Sequence, residues 1–161
     1  MRLAIVIIFA LLVIGAVGFL SIDHQGQVKV DQYGLTSQQS MDIKKLGDLK
    51  GDEQTILFYM NDAPMMEAMR GIFMSQCATC HGANGAGATG PNLTDNHYLI
   101  IKNVEGIFKN IKWGSIAKGM PPWNGILTET EMVLLTAYVA KLRGTSTEGK
   151  FSEGVIIEPW E

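Results

Sequence analysis

Residues 77–82, with the sequence CATCHG, constrain the fold of this chain more than any other feature. They contain both of its cysteines, Cys77 and Cys80, and His81 follows the second one directly. A glycine-rich stretch, ANGAGATGPNL, continues from there to Leu93. Four kinds of site use parts of this pattern: a thioredoxin-like dithiol, half of a zinc site, a glycine loop that binds a dinucleotide, and covalent attachment of haem. The surrounding sequence has to distinguish among them.

The sequence before the motif predicts a helix that ends at Cys77. Asp62 is a suitable N-cap residue, and Pro64 falls in the first turn, where a missing N–H costs nothing. Helical spacing places the following residues on one side: Met65, Met69, Ile72, Phe73 and Gln76. The glycines within residues 82–90 end this helix and predict a loop.

Two further helices are predicted after the glycine loop. An i, i+3, i+4, i+7 pattern gives the first one a buried face of Val104, Ile107, Phe108 and Ile111. Thr128 and Glu131 form a capping-box pattern at the start of the second one, which Arg143-Gly144 end. The apolar face of that last helix consists of Met132, Leu135, Tyr138, Val139 and Leu142. Three helices make a small core for about 100 residues, so we expect an all-α domain completed by a buried prosthetic group.

Three interpretations of the opening motif are disfavoured by its surroundings. The stretch Gly85 to Gly90 matches a dinucleotide fingerprint, but that fingerprint requires a preceding strand, and here a helix precedes it. A thioredoxin-like pair lies at the start of a helix, which lowers the thiol pKa, whereas this helix comes before the cysteines. A closed zinc site needs four ligands, and the remaining histidines, His24 and His97, are isolated.

The remaining interpretation is covalent haem attachment, for which Cys-x-x-Cys-His is the signature. The two thiols add to the vinyl groups of neighbouring pyrroles, and the adjacent histidine then lies beneath the iron. The sequence therefore predicts one haem c, held by thioethers from Cys77 and Cys80, with His81 as the fifth iron ligand.

Met120 is the predicted sixth ligand. It lies in SIAKGMPPWNG, where Gly119 permits close backbone approach and Pro121-Pro122 keep the segment extended. The alternatives are that Met120 only fills the core, or that His97 binds the iron. His97 lies in the polar sequence TDNHY, which is more typical of a surface turn. The methionines before the haem motif are expected to pack as a helix face.

The first 20 residues predict a membrane anchor. Leu3 to Leu20 form an 18-residue apolar run, about the length that spans a bilayer as a helix. A cleaved secretory signal is the alternative, since Ala16-Val17-Gly18 offers small residues for a peptidase. Arg2 is the only charge before the run, so the positive-inside rule leaves the rest of the chain outside the cytoplasm. The expected location is the cytoplasmic membrane, crossed once, with the haem domain on the periplasmic side.

The chain divides into four parts. After the anchor (1–20) we expect a tether or docking segment with little regular structure (21–61), a monohaem domain (62–146) and an extended C-terminal tail (147–161). The formal net charge is −3, and residues 21–161, which lack only the charge of Arg2, carry −4. This charge argues against nucleic acid as a partner.

The ordered set of motifs CxxCHG, GPNLTD, KGMPPW and AYVAKLRGT resembles the class I cytochromes c. The likeness extends over about residues 64–155 and is greatest to the haem domains in the membrane-anchored cytochrome subunit of cbb-type haem-copper oxidases. The resemblance implies that the Pro91 carbonyl accepts the Nδ1 proton of His81 and that Phe73 and Tyr138 meet where the first and last helices cross. It also implies that Trp123 lies near a haem propionate; a core aromatic is the alternative.

An iron with six ligands leaves no site for a substrate, so one-electron transfer is the expected activity. The function predicted is a membrane-anchored monohaem cytochrome that carries single electrons in a respiratory chain, as a subunit of a larger membrane oxidoreductase complex. The alternatives are a tethered or free periplasmic shuttle, or the cytochrome subunit of a quinol-oxidising complex. A basic patch is predicted to dock an acidic redox partner, unless it is only a solvated helix face: it consists of Lys102, Lys109, Lys112 and Lys118.

Overall fold

A computed structural model of the chain describes residues 28–146 and 148–160. This part contains six α-helices and one pair of two-residue strands, so the all-α prediction is confirmed for it. None of its helices is long and apolar enough to cross a membrane. The predicted anchor, Leu3 to Leu20, lies outside the described residues.

The elements follow one another along the chain in a simple order. The helices are α1 (Ser37–Lys45), α2 (Glu53–Tyr59), α3 (Ala63–Gln76), α4 (Ala78–His81), α5 (Val104–Trp113) and α6 (Glu129–Leu142). A 3-10 turn (Ile116–Lys118) lies between α5 and α6, and β1 (His97–Tyr98) pairs antiparallel with β2 (Val155–Ile156).

The starts of the long helices are fixed by local side-chain caps. The Asp62 side chain accepts a hydrogen bond from Met65 N at 3.0 Å at the start of α3. Thr128 and Glu131 form the capping box of α6, as predicted. Asn103 caps α5 through Gly106 N at 2.9 Å. Because these caps depend on residues three apart, they could be recognised in the sequence.

Helix α6 is the centre of the core. It packs against α2, α3 and α5, and it is therefore buried on more sides than its predicted apolar face. Val133, Leu134 and Ala137 are fully buried in addition to that face. The Phe73 and Tyr138 rings lie 5.4 Å apart, centroid to centroid, where α3 and α6 meet. The resemblance to class I cytochromes c implies this contact.

The segment before α3 is folded, so the expectation that residues 21–61 have little regular structure is wrong for the described part. Helix α1 begins with a capping box at Thr36, and α2 begins with an Asp52 cap. Leu35, Ile43 and Ile56 from this segment are buried in the core. Short helices of this kind are stable mainly through tertiary packing, which the local sequence does not reveal.

The loop before α1 lies directly on α3. Ser75 Oγ donates to Tyr33 O at 2.9 Å, and the backbones of Gly34 and Gly71 approach each other closely. A Cβ added at Gly71 would lie 2.5 Å from Gly34 O, so this contact requires glycine. The Tyr33 hydroxyl donates to Ile126 O at 3.2 Å. The segment is thus attached to both α3 and the loop before α6.

The C-terminal tail folds back over the domain. Strand β2 pairs with β1, and Trp160 Nε1 donates to Ala140 O in α6 at 3.0 Å. The Arg143 guanidinium lies 4.5 Å from the Trp160 ring centroid and 5.6 Å from that of Tyr98. It also donates to the carbonyls of Ile157 and Glu158. One arginine therefore holds the tail through both stacking and hydrogen bonds.

Candidate cofactor site

A cavity of about 530 Å³ opens between α3, α5, α6 and the loops that connect them. This volume lies within the range of about 300–1,000 Å³ that is typical of small-molecule and cofactor sites. The cavity brings together all six side chains predicted to hold the cofactor: Cys77, Cys80, His81, Pro91, Met120 and Trp123. Its apolar wall includes Phe73, Leu93, Ile107, Ile111, Leu135 and Val139.

The cysteines and His81 reach the cavity through one tight turn after α3. Cys77 is the C-cap of α3, and its N–H donates to Phe73 O at 2.8 Å. The four-residue helix α4 begins at the next residue, and His81 N donates to Cys77 O at 2.9 Å. This turn puts both thiols and the imidazole on one side of the cavity.

The His81 imidazole is held by the glycine loop. Its Nδ1 lies 3.1 Å from Pro91 O, which is the contact implied by the resemblance. Since a carbonyl can only accept, this hydrogen bond puts the ring proton on Nδ1 and leaves Nε2 as the nitrogen available to a metal. Gly90 packs on the same ring, because a Cβ there would lie 2.9 Å from His81 Cε1.

The ionisation of His81 suits a metal ligand. Burial lowers the pKa of His81; the hydrogen bond to Pro91 opposes this shift, and the Lys150 charge adds to it. A ligating histidine has to be neutral, so a lowered pKa favours the form that binds.

The Cys77 thiol does not have the character of a redox-active cysteine. Burial raises the pKa of Cys77 to about 12, and the neighbouring Cys80 adds to this. Reactive dithiols have lowered pKa values, because the thiolate is the nucleophile. Among the described residues, no three His, Cys, Asp or Glu side chains are grouped so that they could hold a metal ion. The raised pKa of Cys77 is therefore unlike that of a reactive dithiol.

Met120 is presented by a stiff loop after α5. The 3-10 turn brings the chain back on itself, with Ser115 N donating to Met120 O at 2.9 Å and Met120 N donating to Ser115 O at 3.2 Å. Asn110 Nδ2 in α5 lies 3.1 Å from Met120 Sδ and donates to it. Hydrogen bonds therefore hold both the backbone and the sulfur of Met120 in place.

Trp123 is partly buried and lies on the cavity wall. Its backbone N–H donates a hydrogen bond to Ile111 O at 3.1 Å. That bond attaches the segment after Met120 to the last turn of α5.

His97 differs from its sequence interpretation. It was expected on a polar surface turn, but it lies in β1, is partly buried and lines the cavity. Its Nδ1 is buried, without a hydrogen-bond partner in the described part of the chain. The cause is the tail, since β2 pairs with β1 directly at this residue.

The four lysines of the predicted patch are not equivalent. Lys102 and Lys109 are exposed, and Lys118 is exposed at the edge of the cavity. Lys112 is instead engaged by Glu129, with Nζ 2.6 Å from the carboxylate. It also lies 5.5 Å from the Phe108 ring centroid. Lys112 therefore contributes little free positive charge to the patch.

Sequence reasoning missed Asn110, Lys150 and Glu153, all of which line the cavity. Asn110 carries a weak signal, since it is an uncharged polar residue beside the predicted core position Ile111. Lys150 and Glu153 carry none, because they reach the cavity only through the folding of the tail.

The residues around this cavity fit a haem c. Two thiols and a histidine approach from one turn, a fixed thioether comes from a distant loop, and the remaining wall is largely apolar. A small helical domain with this donor set is a c-type cytochrome.

Comparison with known proteins gives the same class. Residues 64–139 match the family described as "Cytochrome C oxidase, cbb3-type, subunit III". The FixP subunit of the cbb3-type cytochrome c oxidase from Bradyrhizobium diazoefficiens is 31% identical over 66% of this chain and 40% of its own length. The CcoP subunit from Azospirillum sp. is 30% identical over 69% of this chain and 40% of its own.

A further FixP subunit, from Azorhizobium caulinodans, is 37% identical over 52% of this chain and 29% of its own length. The crystal structure of cytochrome cL from Methylophaga aminisulfidivorans is 28% identical, covers 71% of this chain and 73% of that one, and gives a TM-score of 0.48. The chain thus spans about 40% of the length of the first curated relatives that it matches. It is a cytochrome c close to the FixP and CcoP subunits of cbb3-type oxidases, and its domain implies haem c as cofactor.

Proposed function

We propose that the chain is a membrane-anchored monohaem cytochrome c that carries single electrons in a respiratory chain. In respiration the protein would act as a fixed subunit of a larger membrane complex, and a cbb3-type oxidase is the first candidate for that complex. The observation that carries this proposal is the convergence of both thiols, His81 and Met120 on one cavity. The relatives are named as subunits of such oxidases.

The roles of the residues follow from their chemistry. Cys77 and Cys80 would hold haem c as thioethers, and His81 Nε2 and Met120 Sδ would ligate its iron. The bound haem supplies a one-electron Fe(III)/Fe(II) couple. The Pro91 carbonyl keeps the His81 ring in one tautomer, and Asn110 orients the Met120 sulfur.

Electron transfer is favoured over substrate chemistry. With both His81 and Met120 as iron ligands, the site would offer no open position for a substrate. The apolar wall would exclude water from a bound haem ring and would thereby disfavour the more highly charged oxidised state.

The packing of residues 28–61 supports a fixed subunit over a swinging shuttle. Leu35, Ile43 and Ile56 bury their side chains in the haem domain, so this segment does not act as a free tether. Only residues 21–27 then separate the predicted anchor from the folded domain. A fully extended chain of that length spans at most about 25 Å. A domain attached so closely reaches only partners that lie beside it at the membrane surface.

We propose one haem per chain, because Cys77 and Cys80 are the only cysteines and supply a single attachment motif. The pyridine haemochrome assay on the purified full chain tests this number. One haem that stays with the denatured polypeptide is expected; two haems per chain, or haem that is released on denaturation, would contradict the proposal.

The assignment of Met120 as the sixth iron ligand is tested by comparing two methionine variants of the full chain. Met120→Ala should abolish the far-red sulfur-to-iron charge-transfer band of the oxidised protein. Met74→Ala is the matched control, because Met74 is 42% exposed on α3 and does not line the cavity. A band that survives in Met120→Ala would overturn the assignment of Met120.

The assembly is tested by solubilising membranes gently and separating the complexes in their native state. We expect the haem protein to migrate with oxidase subunits. Migration alone under conditions that keep the oxidase intact would favour the tethered shuttle.

A further inference from the structure

The start of the C-terminal tail forms part of the cavity wall. Lys150 and Glu153 both line the cavity, although they are far from the haem-binding motif in the sequence. The backbone of Lys150 is fixed to the glycine loop: Lys150 N donates to Ala86 O at 2.8 Å, and Asn92 Nδ2 donates to Lys150 O at 3.4 Å. The position of the Lys150 side chain is thus determined by the loop that also holds His81.

The Lys150 ammonium lies close to the His81 side of the cavity. Its Nζ donates to Thr89 O at 3.3 Å and to Gly90 O at 3.4 Å, and it pairs with a Glu153 carboxylate oxygen at 2.5 Å. Gly90 in turn packs directly on the His81 ring. One residue, Gly90, therefore separates the cation from the imidazole.

We propose that Lys150 and Glu153 form a charge pair that sets the redox potential of the haem from the His81 side. Lys150 raises the potential, and Glu153 lowers it. This inference depends on the proposed function, since it requires a haem ligated by His81. Both residues would act on the haem through the electrostatic effect of their charges, without contact to the iron.

The sign follows from electrostatics. Reduction adds one negative charge to the haem, so a nearby cation stabilises the reduced state and a nearby anion destabilises it. The side chains of Lys150 and Glu153 are 33% and 37% exposed, so water screens their charges only in part. An exposed lysine such as Lys141, on α6, has its charge screened more fully and does not line the cavity.

The test measures the midpoint potential of the haem-loaded full chain by spectroelectrochemical titration. Lys150→Gln removes the charge and keeps an N–H donor for the two carbonyls, and Glu153→Gln keeps an acceptor. Lys150→Gln should lower the midpoint and Glu153→Gln should raise it. The double variant should return towards the wild-type value, Lys150→Arg should retain it, and the control Lys141→Gln should leave it unchanged.

Shifts of opposite sign distinguish a charge effect from damage to the pocket, because loosening the tail would change both variants in the same direction. Equal shifts of one sign, or no shift in Lys150→Gln, would overturn the inference. If the wild-type chain holds no covalent haem, or lacks the sulfur-to-iron band, the proposed function fails instead. A wild type with normal haem and unresponsive variants would refute only the role of Lys150 and Glu153.

Discussion

Replacing Ile56 with alanine tests whether the segment before α3 is an integral part of the haem domain. Ile56 lies in α2 and is 0% exposed. The substitution removes three carbon atoms, each worth about 0.8 kcal/mol of transfer free energy, or about 2.4 kcal/mol in total. The cavity left behind adds to this, so the free energy of unfolding should fall by about 2–5 kcal/mol.

Phe58→Ala is the matched control on the same helix. Phe58 is 70% exposed and contacts Tyr59 edge to face at 5.1 Å between ring centroids. Its removal should cost at most about 1 kcal/mol, mainly from this aromatic contact. Replacing Ile56 is therefore expected to lower the free energy of unfolding more than replacing the larger Phe58, because the size of this effect depends on how far the side chain is buried.

The assay is urea unfolding of the haem-loaded full chain in mild detergent, followed by the haem Soret absorbance. A lower midpoint with an unchanged slope reports a lower free energy of unfolding. If Ile56→Ala cost less than about 1 kcal/mol, or if both variants behaved alike, α2 would not be packed into the core as described. The packing of residues 28–61 into the domain, which is the main support for a fixed subunit, would then be in conflict with the measurement.

Three further predictions follow from single contacts. Gly90→Ala should displace the His81 ring and reduce the yield of low-spin haem, measured by absorbance, because its Cβ would lie 2.9 Å from His81 Cε1. Burial raises the pKa of Tyr98 to about 12 from 10.0, so its contribution to stability is complete below pH 10 and is lost as the pH rises towards 12; the free energy of unfolding of Tyr98→Phe should therefore fall less between pH 10 and pH 12 than that of the wild type, as measured by urea titrations. Thr36→Ala removes the capping box of α1 and should lower the free energy of unfolding by about 1 kcal/mol; an unchanged urea midpoint would contradict this.

The parts of the fold that depend on neighbouring residues could be predicted from the sequence. The caps at Asp62 and Thr128 and the buried face of α5 each depend on residues within one or two turns. The prediction of the buried face of α3 was less accurate. It included Met65, which is only partly buried, and left out Met66, which is buried. Methionine at both positions gives the apolar pattern two equivalent choices, and only the packing of the folded chain distinguishes them.

The parts that depend on distant residues could not be predicted. Lys112 lies in the sequence opposite the predicted apolar face of α5, yet Glu129 pairs with it from 17 positions away. His97 lies in a polar sequence, yet β2 covers it from the far end of the chain. In both cases the local composition is that of a surface, and a later segment changes the environment.

The same reasoning explains why the cofactor was easier to predict than its setting. The chemistry of haem attachment requires two thiols and a histidine within five residues, so the sequence alone is enough to predict the covalent site. The potential of that haem depends on charges brought close by folding, and Lys150 reaches Gly90 across 60 positions. Charge near His81 is therefore a property of the tertiary structure, and a chain with the same motif but another tail should hold its haem at another potential.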